Sequence, residues 1–273
     1  MRIGFTKTPH QDYVVRLKQA IRADGHEALD FPNVVESDPS YVTVANTVDI
    51  AVVWGVAKAK RLQAMGAKNV LIMERGYLGD RHNWVSLGWD DLNGQANFYN
   101  SYVPADRWDK YWRGQMQQWK TTGNNILVCG QVMNDQSLSD CIDYKAWLKN
   151  TCITLMNNDE NVVFRGHPLE TEDYGLPKDI YISTDKDIYG DLNRCKAMVT
   201  WSSTTSVIAA YSGVPTFVFS KYAMTNEVSS NDLNKIVRPD RYDWGRKIAY
   251  TQWNLDELSN GTAWYHIKTR FYY

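Results

Sequence analysis

Two stretches decide how the chain is read: Asn161–Pro168 (NVVFRGHP) and Ala197–Ser220 (AMVTWSSTTSVIAAYSGVPTFVFS). The first is a short apolar run ending in Arg165, Gly166, His167 and Pro168. In the second, AMVTW has the near-continuous apolar character of a strand covered on both faces. Ser202, Ser203, Thr204, Thr205 and Ser206 follow it, VIAAYS continues as helix, Gly213 closes that helix and PTFVFS returns as strand. This order of strand, hydroxyl-rich helix start, short helix and strand is a βαβ unit with a parallel sheet. Ligands of open α/β sheets bind beyond the carboxyl ends of the strands. The first turn of a helix has unpaired N–H groups and the positive end of the dipole, which suits a phosphate. Arg165 and His167, at a neighbouring strand end, are expected to donate to the same anion. The plainer alternative is that Ser202 or Ser203 caps the helix and His167 is a turn residue.

Outward from these stretches, 273 residues are enough for one large or two compact domains, and two are expected. Hydrophobic residues at 44% and charged residues at 22% are the proportions of a globular protein. The net charge of −1 provides no overall attraction to a polyanion, so nucleic-acid binding would need a local basic face. Cys129, Cys141, Cys152 and Cys195 lack CxxC spacing, which argues against zinc and for reduced thiols. The opening MRIGFTKTPH has no apolar signal region, and no run reaches transmembrane length, so a cytoplasmic protein is expected.

The first half alternates strand with helix. RIGF reads as a strand, Gln11–Ala23 as a helix, HEALDF and Val48–Trp54 as strands, Ala57–Met65 as a helix and NVLIM (Asn69–Met73) as a buried strand. No GxGxxG is present. NVLIM leads into Glu74, Arg75, Gly76, Tyr77, Leu78, Gly79, Asp80, Arg81 and His82, a charged loop placed where chemistry is commonly carried. Glu74 or Asp80 is a candidate general base, with structural ion pairs to Arg75 or Arg81 as the alternative. SLGWDDLNGQANF reads as an irregular excursion, and Asp106–Lys120 as an aromatic-striped helix whose stripe faces a core. Thr121–Asn125 (TTGNN) is the linker candidate, which divides the chain into residues 1–122 and 123–273. ILVC, with Gln131 in its exit loop, opens the second half, and helices near Asp240–Leu258 close it, with the possibility that they pack back on the first domain.

The Arg165-Gly166-His167-Pro168 strand end, the cluster from Trp201 to Ser206, the Gly213-Val214-Pro215 turn and the tail DRYDWGRKIAYTQWNLDELSNGTAW together resemble the capsule-polysaccharide glycosyltransferase group. In plan, the two halves resemble a GT-B glycosyltransferase. The compact length is similar to bacteriophage glycosyltransferases, some of which modify hydroxymethylated bases in their own DNA. The resemblance implies two Rossmann-like domains facing across a cleft, the first on the acceptor side and the second binding a nucleotide sugar.

The function implied is metal-independent, inverting transfer of a sugar from a nucleotide-sugar donor to a hydroxyl of a glycan or a modified base in DNA. Arg165, His167, Ser202, Ser203, Thr204 and Thr205 are expected to hold the donor phosphates and to stabilise the leaving group. Glu74 or Asp80 is expected to take the acceptor proton, with Arg75, Tyr77, Arg81 and Gln131 lining the acceptor side of the cleft. No cofactor beyond the donor co-substrate is expected. A sugar-nucleotide epimerase and a non-catalytic nucleotide-sugar or nucleic-acid binding module stand as alternatives.

Overall fold

The computed structural model describes residues 1–8, 10–31 and 40–272. The chain divides into two compact units, Met1–Trp108 with Arg246–Tyr273, and Asp109–Gly245.

The first unit contains β1 (Arg2–Thr6), α1 (Gln11–Ala23), β2 (Glu27–Phe31), α2 (Ser40–Thr47), β3 (Ile50–Trp54), α3 (Val56–Ala64), β4 (Val70–Arg75) and β5 (Trp84–Trp89). The chain leaves it within α4 (Asp106–Tyr111). Its sheet has the order β2-β1-β3-β4-β5, extended by a last strand, Gln252–Asn254, from the closing segment. The four strands β1 to β4 are parallel, β5 is antiparallel to β4, and Gln252–Asn254 is antiparallel to β5. Alternate side chains leave a strand on opposite faces. Ile3, Phe5, Ile50, Val52, Leu71 and Met73 therefore share a core with α1, while Ala51, Val53, Val70 and Ile72 pack with α2 and α3.

The second unit contains β6 (Asn125–Cys129), α5 (Tyr144–Asn157), β7 (Val162–Arg165), β8 (Tyr181–Ile182), α6 (Ile188–Arg194), β9 (Cys195–Thr200), α7 (Thr205–Tyr211) and β10 (Thr216–Val218). All five strands are parallel, in the order β10-β9-β6-β7-β8. The chain leaves this unit within α8 (Tyr242–Ala249); β11 (Gln252–Asn254), α9 (Leu255–Ser259) and α10 (Thr262–Ile267) then belong to the first unit.

The units part before Asp109, upstream of the Thr121–Asn125 linker expected from the sequence. Residues 117–123 are bonded into the second unit. The Gln117 N–H donates to the Tyr211 carbonyl at 3.1 Å and the Lys120 N–H to the Gly213 carbonyl at 2.7 Å. A Cβ on Gly213, whose φ is +76°, would lie 2.0 Å from the Gln118 carbonyl oxygen, and one on Gly123 would lie 2.3 Å from the Lys196 nitrogen. Arg241 lies 3.8 Å above the Trp119 ring and donates to the carbonyls of Gln117 and Ala210; burial pulls its guanidinium down to about 10. Of the excursion expected over Ser86–Phe98, Ser86–Trp89 belongs to β5 and the rest is irregular around a short turn at Asn93–Gln95, and the helix expected over Asp106–Lys120 stops at Tyr111.

The closing segment is held to the first unit by a buried ion pair. Arg107 and Glu257 are 4% and 6% exposed, and the guanidinium reaches the carboxylate through two bonds of 2.9 and 2.5 Å. The Arg107 guanidinium also lies 4.0 Å above the Trp253 ring. Glu257 accepts from the Asn254 N–H while Asn254 accepts from the Glu257 N–H, a reciprocal cap that starts α9. Removing one member of a buried pair strands the other charge. Glu257→Ala is therefore expected to lower stability by about 3–5 kcal/mol in urea unfolding. A loss below about 1 kcal/mol would mean that the pair behaves as an exposed one.

Candidate functional site

In each sheet the strand order reverses once, and a crevice at that point is where open α/β sheets take ligands. In the second unit the reversal lies between β6 and β9: from β6 the chain moves outward to β7 and β8, whereas β9 returns to the other side of β6 and β10 continues outward. Gln131 follows β6 and Ser202 follows β9, so two of the residues singled out in the sequence flank this point.

They are bonded to each other. Gln131 is 4% exposed. Its Oε1 accepts from the Ser202 N–H at 2.8 Å and the Thr200 hydroxyl at 3.2 Å; its Nε2 donates to the hydroxyls of Ser202 at 3.1 Å and Ser137 at 3.0 Å. Its backbone N–H donates to the Tyr144 hydroxyl at 2.8 Å, and its carbonyl accepts from the Tyr174 hydroxyl at 3.2 Å. Tyr174 in turn accepts from the His167 N–H at 3.0 Å. Gln131 thus ties together three loops: its side-chain amide joins those leaving β6 and β9, and its backbone carbonyl, through Tyr174, the one leaving β7. Gln131 was expected beside the acceptor; here it braces the second unit's own strand ends.

The Ser202–Thr205 cluster divides by burial. Ser202 is 2% exposed and spends its hydroxyl on the Ser137 carbonyl at 2.7 Å, so it serves the brace. Ser203 and Thr205 are half-buried and bonded hydroxyl to hydroxyl at 2.9 Å, and Thr204 is exposed at the start of α7. The hydroxyls that face outward at the sheet edge are therefore those of Ser203, Thr204 and Thr205.

Arg165 does not join them. It ends β7, and β6 stands between β7 and β9. Its Nη1 donates to Asp191 at 2.8 Å and to the carbonyls of Asp185 and Asp187 at 3.1 and 3.2 Å, which fixes the approach to α6. Asp191 is 2% exposed, and its carboxylate also accepts from the Ser183 hydroxyl at 2.7 Å and from Arg194 at 3.3 Å. His167 stays at the carboxyl edge, half-buried; its Nδ1 accepts from the Leu169 N–H at 3.2 Å, which places the proton of the neutral ring on Nε2.

In the first unit the order reverses between β1 and β3, and the residues around that point are His10, Trp54, Glu74 and Arg75. Glu74 and Arg75 are the last residues of β4 rather than loop residues. A Cβ built on Gly55, at φ +82°, would meet the Glu74 Oε1 at 3.6 Å, so the carboxylate lies over the end of β3. Arg75 donates to the Arg81 carbonyl, approaches the Tyr13 hydroxyl at 3.4 Å and lies 5.8 Å from the Trp54 ring. Asp80 and Arg81 are exposed; Asp80 closes its own turn by accepting from the His82 N–H at 2.8 Å. Tyr77, expected to line the acceptor side, is buried. It is 5% exposed, its backbone N–H donates to Gln252 at 2.6 Å, and burial pushes its phenol up. His10 and Trp54, which the sequence reading passed over, are brought together with Arg75. Applying the same carboxyl-end rule to β1 would have drawn attention to His10.

No protein-family profile matches the sequence, and no curated protein matches it. Among the solved structures similar to the chain are two that match over nearly its whole length. One is the beta Kdo 2,7 transferase of KpsC from Thermosulfurimonas dismutans, with a TM-score of 0.63 at 11% identity, covering 96% of this chain and 99% of that one. The other is the beta Kdo 2,4 transferase of KpsC from the same organism, with a TM-score of 0.61 at 12% identity, covering 95% and 98%. The fold is thus of the GT-B type, with two Rossmann-like units, as the sequence led us to expect. No helix among the described residues is long and apolar enough to cross a membrane.

Replacing the brace tests its weight. Gln131→Leu leaves the Ser202 N–H without its buried acceptor, while the Thr200 hydroxyl keeps the Cys129 carbonyl at 3.2 Å, a loss of about 1–3 kcal/mol. Urea unfolding of the variant should show that loss, and an unchanged midpoint would mean that the amide is not what holds these strand ends.

Proposed function

We propose that the chain transfers a sugar from a nucleotide-sugar donor to an acceptor hydroxyl, with the donor bound by the second unit and the acceptor by the first. The observation that carries this reading is the pair of polar strand-end sites, each at the reversal point of its own sheet. The likeness in fold to two Kdo transferases supports it. The outward hydroxyls of Ser203, Thr204 and Thr205 and the ring of His167 receive the donor phosphates and donate to them as negative charge develops on the leaving group. Ser202 and Gln131 act behind them by fixing the loops, and Arg165 acts through α6.

Glu74 is the general base of this proposal, in preference to Asp80. Its carboxylate lies over the end of β3 at the reversal point, whereas Asp80 is exposed and occupied with its own turn. A base acting in a single displacement inverts the anomeric centre, and the reaction proceeds without a metal, so transfer is expected to persist in EDTA. The acceptor is a hydroxyl on a glycan or on a hydroxymethylated base in DNA.

The test is a panel of UDP-, TDP- and CMP-sugars, first by thermal shift and then by turnover. The acceptors are maltohexaose and an oligonucleotide containing 5-hydroxymethylcytosine. A donor present at about 100 times its Kd raises stability by about 2.7 kcal/mol. Glu74→Gln is expected to lower kcat by about 10²–10⁴-fold with donor binding intact, and Asp80→Asn to change it by less than about tenfold. Donor binding without turnover on either acceptor would favour a binding module. Interconversion of the sugar nucleotide with no acceptor present would favour an epimerase. Equal losses in the two variants would remove the assignment of Glu74.

A further inference from the structure

His10 stands between the end of β1 and the first turn of α1, at the reversal point of the first sheet. Its N–H donates to the Thr8 hydroxyl at 3.2 Å, and the Gln11 side chain donates to the Thr8 carbonyl at 2.5 Å. Its ring packs against Trp54 with centroids 4.2 Å apart and against the edge of Tyr13 at 6.2 Å. The Arg75 Nη2 lies 3.4 Å from the His10 Nδ1.

That last contact determines the ring's chemistry. A guanidinium carries donors only, so Nδ1 must accept. A neutral imidazole with its lone pair used at Nδ1 carries its proton on Nε2, which is then a donor and has no lone pair with which to remove a proton. Protonating the ring would turn Nδ1 into a donor facing another donor. Burial, followed by the charges of Arg75 and His82, also holds the ring's pKa below the ordinary histidine value. Arg75 is itself held in place, by the Arg81 carbonyl and against the Trp54 face. No described residue bonds to the His10 Nε2.

We propose that His10 is a substrate-binding hydrogen-bond donor whose Nε2–H, set by Arg75, is presented to an oxygen lone pair of the acceptor, and that it is not the base of the reaction. The role assigned to the acceptor rests on the transferase reading; the tautomer does not.

The two parts are tested separately. In the full chain labelled with ¹⁵N-histidine, long-range ¹H–¹⁵N correlation at neutral pH is expected to show His10 as the Nε2–H tautomer, its signal identified by its loss in His10→Gln. Arg75→Met is expected to abolish that preference while the other histidine signals stay in place. An Nδ1–H tautomer, a charged ring, or a preference unchanged in Arg75→Met would overturn the proposal.

The second part compares two variants in the transfer panel described above. The Gln Nε2 is a donor that takes up no proton at neutral pH. His10→Gln is therefore expected to keep kcat within about tenfold, while His10→Ala raises the acceptor KM by about tenfold or more, the effect of one lost hydrogen bond. If His10 were the base, both variants would lose about 10²–10⁴-fold in kcat, and the proposal would fail. Absence of turnover on every member of the panel would remove the transferase reading and with it the acceptor role, while the tautomer result would stand.

Discussion

The second unit depends on one buried primary amide. A parallel sheet delivers its strand ends to a common edge but does nothing by itself to fix the loops that leave them. Gln131 does so by making two bonds from each end of its side chain, to Ser202, Thr200 and Ser137, while its own backbone is held by Tyr144 and Tyr174. A buried amide with every donor and acceptor used is rigid, and a partly used one is costly. The brace therefore converts three separate loops into one surface, on which the hydroxyls of Ser203 to Thr205 and the ring of His167 keep fixed positions. Arg165 is a brace of the same kind, one strand further out, with Asp191 as its buried counterpart.

Much of the fold could be read from the chain because parallel strands covered on both faces leave a mark that needs no partner to interpret. IAVVW, VLIM, NILVC and CKAMVT are such runs, and each is a strand. WVSLGW went unread as β5 because it sits among glycines and charges, and its strand character comes from antiparallel pairing with β4 and β11, one of which lies far along the chain. TTGNN has the composition of a linker, yet Gly123 is a glycine because Lys196 and Cys195 leave no room for a Cβ. Composition reports what a segment tolerates and not what it touches.

The site was legible in residue type and less so in role. The outward hydroxyls and His167 lie at the carboxyl edge, as the hydroxyl-rich helix start suggested. Nothing in the spacing of Ser202 and Ser203 tells that one is buried and the other is not. Chain order puts the Arg165 strand end next to the hydroxyls, whereas in the sheet β6 intervenes. His10 carries no motif; what marks it is its place beyond the carboxyl end of β1, which lies between β2 and β3.

The Arg107–Glu257 pair marks a difference in how the two units are closed. The second unit is one continuous stretch, Asp109–Gly245, and all five of its strands come from it. The first is built from two stretches separated in sequence by the whole of the second, because β11 joins β5 and Glu257 reaches Arg107. Detaching the closing segment would therefore uncover an edge of the first sheet and strand a guanidinium, while every strand of the second sheet keeps its partners.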